Sequence, residues 1–312
     1  MNRFDKINLE KGMYKDGSFT EALESLDPSE NYIGTTLEGL DAFERQLKRF
    51  NIVVSGRSSD TVEKFFQTSN SAVLFPEYVI RCVKSAMEQH NKVKDIVAST
   101  TQIESMDYRP VVSVKKDDDE NSLPPLVVNT KENLVKLRKR GRTLMASYEV
   151  VRFQRIDLFS AFLKEIGAYI RKAQMADAVN VLANGCATTK SYVDNGLIFM
   201  DLIRLFGQFD RFELNTIIAS PDAANGLPIQ EQTIYKNGQY VLPFGINLII
   251  TTAIKEKQLL GFDKNCTLEM VETGGINVDY DKLIDRQFER AAITYTAGFS
   301  KIFDDSVKAI TY

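Results

Sequence analysis

The strongest hydrophobic pattern in the chain lies between about residues 157 and 184. Apolar residues recur there at steps of three or four, which is the spacing of one face of an α-helix. They are Ile156, Phe159, Leu163, Ile166, Ile170 and Ala173. Asp157 supplies a negative charge to the first turn, and Gly185 follows as a stop signal. The pattern predicts a helix of roughly 28 residues and about 42 Å, which is far longer than the usual globular helix.

The stretch before this helix carries weaker patterns. Residues 1 to about 35 are polar and have no sustained period, so we expect an extended or partly ordered arm. A first helix is predicted after Thr36, which can cap it, because apolar residues then recur at helical steps. These are Leu37, Leu40, Phe43, Leu47 and Phe50. A glycine-serine break at 55–59 ends that unit, and shorter helical stretches are expected at 60–66 and 76–89. The inner face of the second stretch is predicted to consist of Val79, Val83, Ala86 and Met87.

After about residue 95 the pattern changes to period two. Short β-branched runs at 95–99, 110–114 and 126–128 predict strands. Between the last two runs, residues 115–122 are all charged or polar, and two prolines follow. A hairpin with so much charge at its tip cannot pack that tip in its own core. A long hairpin that projects from the body and a solvated surface loop explain this pattern equally well.

The C-terminal part alternates short elements. A helix is predicted at 197–207 from the stripe Leu197, Met200, Ile203 and Phe206, and a strand at 214–219. Ser220-Pro221-Asp222 has the residues that begin another helix, and Asn237-Gly238 predicts a two-residue hairpin. Further strands are expected at 246–252, 267–272 and 291–299, with a turn at Gly274-Gly275 between the last two. The chain is therefore predicted to be α+β, with strands too short for a regular parallel wrap.

Composition and charge narrow the functional classes. The 312 residues are 44% hydrophobic and 26% charged, which is enough for a sizeable core. The net charge is −3, from 39 basic and 42 acidic residues, and this balance argues against a main task of gripping a phosphate backbone. We find no apolar run of the roughly 20 residues that span a bilayer. The polar N-terminus lacks the pattern of a signal peptide, so we expect the protein to remain inside the cell that makes it.

The residues on which catalysis usually depends are scarce. The single histidine, His90, lies at the end of a charged helical stretch, where solvation is the expected state. Cys82, Cys186 and Cys266 are far apart and form no CxxC pair, so we interpret them as small hydrophobes in a reducing compartment. Phosphate-binding loops and nucleophile elbows are missing, and the acidic run at 117–120 lacks the glycine and glutamate of a calcium loop. We predict no enzymatic activity, no metal and no cofactor.

Taken together, the order of elements resembles a known family. Residues 134–142 with 146–150 are similar to a strand that returns from an extended loop into a long helix, and 166–170 with 181–185 are similar to that helix and its glycine end. Residues 220–222, 285–290 and 295–301 resemble later elements in the same order. The family is that of the tailed-bacteriophage major capsid proteins, whose fold is named for the Hong Kong ninety-seven phage. The resemblance covers residues from about 73 to 312.

The resemblance implies an α+β capsid fold with named parts. It places the N-terminal arm and first helices at 1–72, a P-domain helix at 73–94, the E-loop hairpin at 95–150, the spine helix at 151–196, the A-domain at 197–275 and closing P-domain strands at 276–312. Subunits would join as hexamers and pentamers into an icosahedral head around double-stranded DNA, which they would touch non-specifically. A separate scaffolding protein, a portal and decoration proteins are possible partners. Assembly would occur in the bacterial host cytoplasm, and the mature location would be the virion.

The resemblance also nominates residues that join subunits. The E-loop tip would contact a neighbouring subunit by charge through Lys115, Lys116, Asp117, Asp118, Asp119 and Glu120. A basic strip formed by Arg138, Lys139, Arg140 and Arg142 would meet such acids in the next subunit, and simple solvation of both groups is the alternative.

Two other functions compete with the phage head. One is an encapsulin, a shell of the same fold that stores a cargo enzyme, and the expected N-terminal arm and charged hairpin favour the phage head over it. The other is a soluble metabolic or regulatory protein, which would form a small discrete oligomer at every concentration.

Overall fold

A computed structural model describes residues 3–14, 18–103, 109–115, 126–130, 134–147, 153–194, 196–227, 234–236, 238–283 and 288–312. The chain forms two compact units. One contains Met1–Gln89, Gly141–Tyr169 and Ile276–Thr294, and the other contains His90–Arg140, Ile170–Gly275 and Tyr295–Tyr312. The predicted A-domain falls within the second unit, whereas the predicted closing segment is divided between the two. The domain boundaries expected from the resemblance therefore stay a prediction.

The described chain begins with four helices, and strands predominate after the helix that ends at Ala183. The helices are α1 (Phe19–Leu26), α2 (Ala42–Arg49), α3 (Ser69–Ala72), α4 (Leu74–Gln89), α5 (Ile156–Ala183), α6 (Phe199–Phe206) and α7 (Pro221–Gly226). The strands are β1 (Ser99–Gln102), β2 (Val111–Lys115), β3 (Leu126–Thr130), β4 (Arg138–Ser147), β5 (Ala187–Lys190), β6 (Thr216–Ala219), β7 (Ile234–Lys236), β8 (Gln239–Val241), β9 (Asn247–Ile250), β10 (Gln258–Phe262), β11 (Leu268–Leu283), β12 (Phe288–Lys301) and β13 (Val307–Thr311). The α+β class is confirmed.

Helix α5 confirms the strongest sequence prediction. It is 28 residues long and is displaced by one residue from the predicted bounds. Ile156, Leu163 and Ile170 from the predicted stripe are fully buried. Gly185 has a φ of +69°, the left-handed conformation in which a glycine commonly ends a helix.

A close approach of two helices requires glycine at position 167 of α5. A Cβ atom built there would lie 2.6 Å from the Val83 carbonyl oxygen and 2.9 Å from the Ala86 Cβ, both on α4. Val83 and Ala86 are buried, as are Val79 and Met87, which confirms the predicted inner face of α4. Since a Cβ contact with backbone at this distance is prohibitive, only glycine allows α4 to pack this tightly on α5.

The second unit contains a seven-stranded mixed sheet with the order β5-β13-β10-β6-β9-β8-β7. Strands β6 and β9 run parallel, and β10 is antiparallel to both β6 and β13. The core beside this sheet is aliphatic and includes Leu202, Leu205, Ile217, Leu248 and Ile310. The predicted two-residue hairpin is confirmed, because β7 and β8 pair antiparallel around Gly238.

Two further sheets involve the region of the predicted E-loop. A four-stranded sheet has the order β1-β11-β12-β4, in which β1 is parallel to β11. Strands β2 and β3 pair antiparallel from Val111↔Thr130 to Lys115↔Leu126, and among the described strands they pair only with each other. The antiparallel pairing of the two predicted strands is therefore confirmed. Residues 116–125 between them lie outside the described residues, so the projection of the hairpin from the body stays a prediction.

The prediction of an extended N-terminal arm was wrong, because the described residues of this region are folded. Phe19 and Leu23 of α1 are buried, and so is Tyr32 in the 3-10 turn that follows. Two side chains of α2 bind the preceding backbone: Gln46 Nε2 donates to the Phe4 carbonyl oxygen at 2.9 Å, and Arg49 donates to that of Ile7 at 2.6 Å. The segment is thus ordered by polar groups of a later helix, which its own lack of periodicity did not reveal.

Three predicted element boundaries were also wrong. Helix α2 begins at Ala42 and is capped by Asp41, whose carboxylate accepts from the Glu44 N–H at 2.8 Å, so Thr36 is not the cap. Strand β1 begins at Ser99, where the predicted strand was to end. Gly274 and Gly275 both have positive φ values, but β11 continues through them instead of turning. Strands β11 and β12 are consequently longer than predicted, at 16 and 14 residues.

A buried ion pair joins α2 to the segment that follows α1. The Arg45 side chain is fully buried, and its Nε donates to Asp27 Oδ2 at 2.9 Å. Its Nη1 donates to Ser29 Oγ and to the Leu40 carbonyl oxygen, and its guanidinium lies 4.4 Å from the centre of the Tyr32 ring. Tyr32 in turn donates to the other Asp27 oxygen at 2.8 Å. The carboxylate and the guanidinium thus satisfy each other away from water.

We predict that Arg45→Ala lowers the free energy of unfolding by about 3–5 kcal/mol, because Asp27 would remain buried without its charge partner. Chemical denaturation followed by circular dichroism measures the change. Lys48→Ala is the matched control, since Lys48 is exposed on the same helix, and it should change stability by no more than about 0.5 kcal/mol. An Arg45→Ala variant as stable as the control would contradict the role assigned to this pair.

Candidate interaction surfaces

The predicted E-loop tip is only partly described. Lys115 is the last residue of β2 and pairs with Leu126 of β3. Lys116, Asp117, Asp118, Asp119 and Glu120 lie outside the described residues. The contact predicted for this tip therefore stays a prediction.

The predicted basic strip on β4 has partners within its own chain. Asp177 of α5 is buried and receives two arginines: Arg138 donates to its Oδ1 at 2.6 Å, and Arg140 donates to both carboxylate oxygens at 2.7 and 2.9 Å. Arg142 lies over the Tyr169 ring at 4.1 Å, with Glu165 4.0 Å away. Lys139 is exposed. The arginines are thus not simply solvated, and a contact of the strip with a second subunit stays a prediction.

A crevice of about 620 Å³ opens beside the end of α5. Its lining includes four basic side chains, those of Lys136, Arg138, Lys255 and Lys301, and two acidic ones, those of Asp177 and Asp304. Lys301 is buried, and its Nζ donates to the carbonyl oxygen of Asn184 just beyond the C-terminal end of α5. A cation at this point is favoured because helix carbonyls carry partial negative charge. The crevice could not be recognised from the sequence, because its basic residues come from distant segments of the chain.

An apolar patch lies on the outer face of α6. Met200, Ile203 and Phe206 are exposed at three-residue steps, while Leu202 and Leu205 on the opposite face are buried. Three of the four residues of the stripe that predicted this helix therefore lie on its outer side, whereas Leu197 is buried just before the helix begins. A helix that is apolar on both sides is typical of one that is covered on both sides.

Phe244 extends this patch in a strained conformation. Its side chain is 62% exposed, and its ring centre lies 5.3 Å from that of Phe206. Its φ is +68°, a left-handed value that residues other than glycine rarely adopt. Strain of this kind persists where the surroundings enforce it, and it occurs most often at functional sites. We call Met200, Ile203, Phe206 and Phe244 the apolar patch.

Two of the three cysteine thiols, those of Cys82 and Cys266, lie in surroundings that favour the protonated form. Burial raises the pKa of the Cys82 thiol, and burial together with the Asp263 charge raises the pKa of Cys266 to about 12. Both shifts disfavour the thiolate, which is the nucleophilic form. The described residues contain no cluster of three or more histidine, cysteine, aspartate or glutamate side chains that could hold a metal ion. They also contain no helix long and apolar enough to cross a membrane.

The sequence matches no protein-family model and no curated protein. Solved structures, in contrast, resemble the chain over most of its length. A virus-like particle from Pyrococcus furiosus aligns with a TM-score of 0.58 at 15% identity, covering 76% of this chain and 99% of that one. An encapsulin from Synechococcus elongatus aligns at 0.52 and 11% identity, covering 72% and 88%. The capsid of the cyanophage P-SCSP1u aligns at 0.50 and 11% identity, covering 70% and 86%.

The fold is that of phage capsids and encapsulins. The Hong Kong ninety-seven type capsid fold expected from the order of elements is therefore confirmed. At identities of 11–15% these similarities do not separate a phage capsid from an encapsulin. The choice between the two has to come from this chain's own residues and from experiment.

We predict that Phe244→Gly is more stable than Phe244→Ala by about 1 kcal/mol, because a left-handed residue with a Cβ costs roughly 1–2 kcal/mol. Both variants lose the contact of the aromatic ring with Phe206, so their difference isolates the backbone conformation. Parallel chemical denaturation of the two variants measures it. Equal stabilities, or a more stable alanine variant, would show that position 244 carries no such strain.

Proposed function

We propose that the chain is the major capsid protein of a tailed bacteriophage, which assembles with copies of itself into an icosahedral head around double-stranded DNA. The observation that carries this proposal is the fold, since the similarity spans 70–76% of this chain and 86–99% of the three shell proteins compared. Subunits would form hexamers and pentamers, as the resemblance implies. The role is structural, and no catalytic step is assigned to any residue.

The apolar patch supports a self-assembling subunit. Stable interfaces commonly bury about 1,200–2,000 Å², and burial of apolar area contributes roughly 25 cal/mol per Å². A patch with two exposed phenylalanines, Phe206 and Phe244, is the kind of anchor around which such interfaces form. Contiguous exposed apolar patches mark interaction sites on proteins, whereas scattered single apolar residues do not.

The partners proposed for the phage head follow from the same function. A scaffolding protein, a portal and decoration proteins would bind the subunit or its shell, and packaged DNA would touch the inner surface without sequence preference. The net charge of −3 supports only weak contact with DNA, because a tight non-specific grip needs a surplus of basic residues. The protein would be assembled in the host cytoplasm and reside in the virion.

An encapsulin-type shell is the second candidate, and one solved neighbour is an encapsulin. The extended N-terminal arm that would have favoured a phage head does not exist in the described residues, where α1 is packed and buried. The charged run at 115–120 between two paired strands remains the feature that supports the phage head. A soluble metabolic or regulatory protein is the third candidate, and the fold makes it the weakest.

We expect the purified recombinant protein to form hollow shells, tubes or hexameric rings in negative-stain electron microscopy, alone or with a scaffolding protein added. Light scattering across concentration follows the same transition. A small discrete oligomer at every concentration would contradict both shell functions. A second experiment distinguishes the phage head from the encapsulin: particles are recovered from producing cells, treated with nuclease and then opened, and their contents are identified. Protected double-stranded DNA supports the phage head, and a protected enzyme without DNA supports an encapsulin.

We also predict that Phe206→Ser combined with Phe244→Ser lowers the yield of assembled particles at least about tenfold, because two exposed aromatic anchors are lost. Electron microscopy and sedimentation measure the yield, and circular dichroism checks that the subunit is folded. Ile33→Ser with Leu26→Ser is the matched control, since these side chains are also exposed but lie in the other compact unit. Normal assembly of the double serine variant would show that the apolar patch is not part of the assembly interface.

A further inference from the structure

We propose that the crevice beside the end of α5 binds a compact anion that carries phosphate groups. This inference goes beyond the proposed shell function and does not depend on it, because every residue that lines the crevice belongs to the second compact unit of a single chain. The ligand is defined by its chemistry, which is several negative charges on tetrahedral oxyanion groups. A free molecule of the pyrophosphate kind and a phosphate of a nucleic acid both offer this chemistry.

The crevice has more basic than acidic side chains. Those that line it are Lys136, Arg138, Lys255 and Lys301 on the basic side, and Asp177 and Asp304 on the acidic side. Arg140 reaches Asp177 from beside the crevice at 2.7 and 2.9 Å, so one carboxylate serves two arginines. A surplus of three positive charges therefore surrounds one cavity, in a chain whose net charge is −3. Clustered charges of one sign in a cleft repel each other and concentrate counter-ions of the opposite sign.

Two lysines on the crevice wall have no carboxylate partner within the described part of the chain. Lys136 lies just before β4 and Lys255 just before β10, and both are exposed. A lysine ammonium group binds phosphate as a point charge with three donors. Because neither charge is neutralised internally, these are the cations that an incoming anion would meet first.

Asp177 orients Arg138 and leaves most of its donors available. Arg138 Nη1 donates to Asp177 Oδ1 at 2.6 Å, and 44% of the arginine side chain is exposed. A guanidinium group has five N–H donors in a fixed plane, a geometry that matches phosphate oxygens. Arg140 donates to the same carboxylate through both Nε and Nη2, so we assign it the role of holding Asp177. Arg138 is thus the planar donor that would complete the site between the two lysines.

The C-terminal end of α5 would repel an anion if its carbonyl groups were uncompensated, since they carry partial negative charge. Lys301 removes this obstacle, because it is buried in the crevice and its Nζ donates to the Asn184 carbonyl oxygen. The side chains of Asn180 and Asn184 are exposed in the same lining. Their amide groups can donate to oxyanion oxygens, which makes this end of the helix compatible with an anion.

The dimensions of the crevice indicate a small ligand with more than one phosphate. Its volume of about 620 Å³ lies within the roughly 300–1,000 Å³ of small-molecule sites. A single phosphate monoester carries about −1.5 to −2 charges at pH 7, which is less than the surplus around the crevice. Two linked phosphates match the surplus better, so inorganic pyrophosphate is the appropriate probe.

Isothermal titration calorimetry of the whole chain with inorganic pyrophosphate, in a chloride buffer of constant ionic strength, tests the proposal. We expect about one pyrophosphate per chain. Lys136→Gln combined with Lys255→Gln should weaken binding at least about tenfold, because two unpaired cations leave the crevice. Lys84→Gln with Lys94→Gln is the matched control, since it removes the same charge at exposed sites away from the crevice, and it should change the affinity no more than about twofold. Circular dichroism checks that each variant is folded.

A pair of neighbouring carboxylates gives a test of opposite sign. Asp304 lines the crevice, whereas Asp305 is also exposed but is not among the lining residues. We expect Asp304→Asn to tighten pyrophosphate binding about threefold, because it removes a repulsive charge close to the ligand, and Asp305→Asn to have a smaller effect. Weaker binding in Asp304→Asn, or equal gains in the two variants, would contradict a ligand in the crevice.

Two further titrations identify the source and the class of the ligand. A short oligothymidylate that binds, is displaced by pyrophosphate and is lost in the double lysine variant would make the nucleic-acid backbone a source of the phosphate. Binding of pyrophosphate without binding of the oligonucleotide would identify a free molecule as the ligand. Citrate at the same ionic strength tests the chemical class. Citrate that binds as tightly as pyrophosphate would overturn the assignment to phosphate.

Two results would overturn the proposal as a whole. One is the absence of pyrophosphate binding by the wild-type chain. The other is binding that the double lysine variant and its control weaken equally, because the crevice would then contribute nothing beyond the overall charge. Shell formation is measured separately by electron microscopy, so failure of this inference and failure of the proposed function remain distinguishable.

Discussion

Helix α5 must bury an apolar stripe along 28 residues, and much of the structure is arranged around this demand. Near its middle, α4 comes so close that only glycine fits at position 167. Farther along, the buried Asp177 requires cations, and β4 supplies two arginines to it. At the C-terminal end, Lys301 of β12 meets the carbonyl of Asn184. Helix α5 therefore contacts a neighbouring helix through close packing and the ends of two strands through charged side chains. The crevice forms where these charged side chains meet the C-terminal part of α5.

Other apolar surfaces are not covered by any described part of the same chain. Helix α6 uses Leu202 and Leu205 to bind its own sheet, yet its outer face is apolar as well. Phe244 is held in a left-handed conformation with most of its side chain in solvent. Neither feature stabilises the subunit, since exposed apolar area gains nothing from folding and the backbone conformation is strained. Features that weaken the monomer are expected where a protein is selected for what it forms with other molecules.

A structural feature could be predicted from the sequence when the residues that determine it lie within one short segment. The bounds of α5, the β7–β8 hairpin and the inner face of α4 follow from spacing within one segment, and the sequence pattern predicted them well. The folded N-terminal region could not be predicted from its own residues, because Gln46 and Arg49 order its backbone from about 40 residues away. The α6 stripe was correct as a helix signal, but periodicity does not tell which apolar face is covered by the same chain. The role of Asp177 could not be predicted either, since nothing near it in sequence reveals its two arginines.

The interactions of the apolar patch and of the charged crevice differ in range, and this difference would decide what each contributes if the chain assembles with copies of itself as proposed. Charges act over roughly 8–10 Å at physiological salt, so they can orient two subunits before contact, but exposed pairs add only about 0–1 kcal/mol each. Apolar contact acts only on touching and has no direction, yet it supplies most of the free energy of association. A closed shell needs both, because subunits bound by apolar contact alone would stick in wrong orientations. If each contact is also weak enough to break, misplaced subunits can leave before the shell closes over them. A chain with a modest patch and a modest charge surplus satisfies that requirement better than one with a single strong interface.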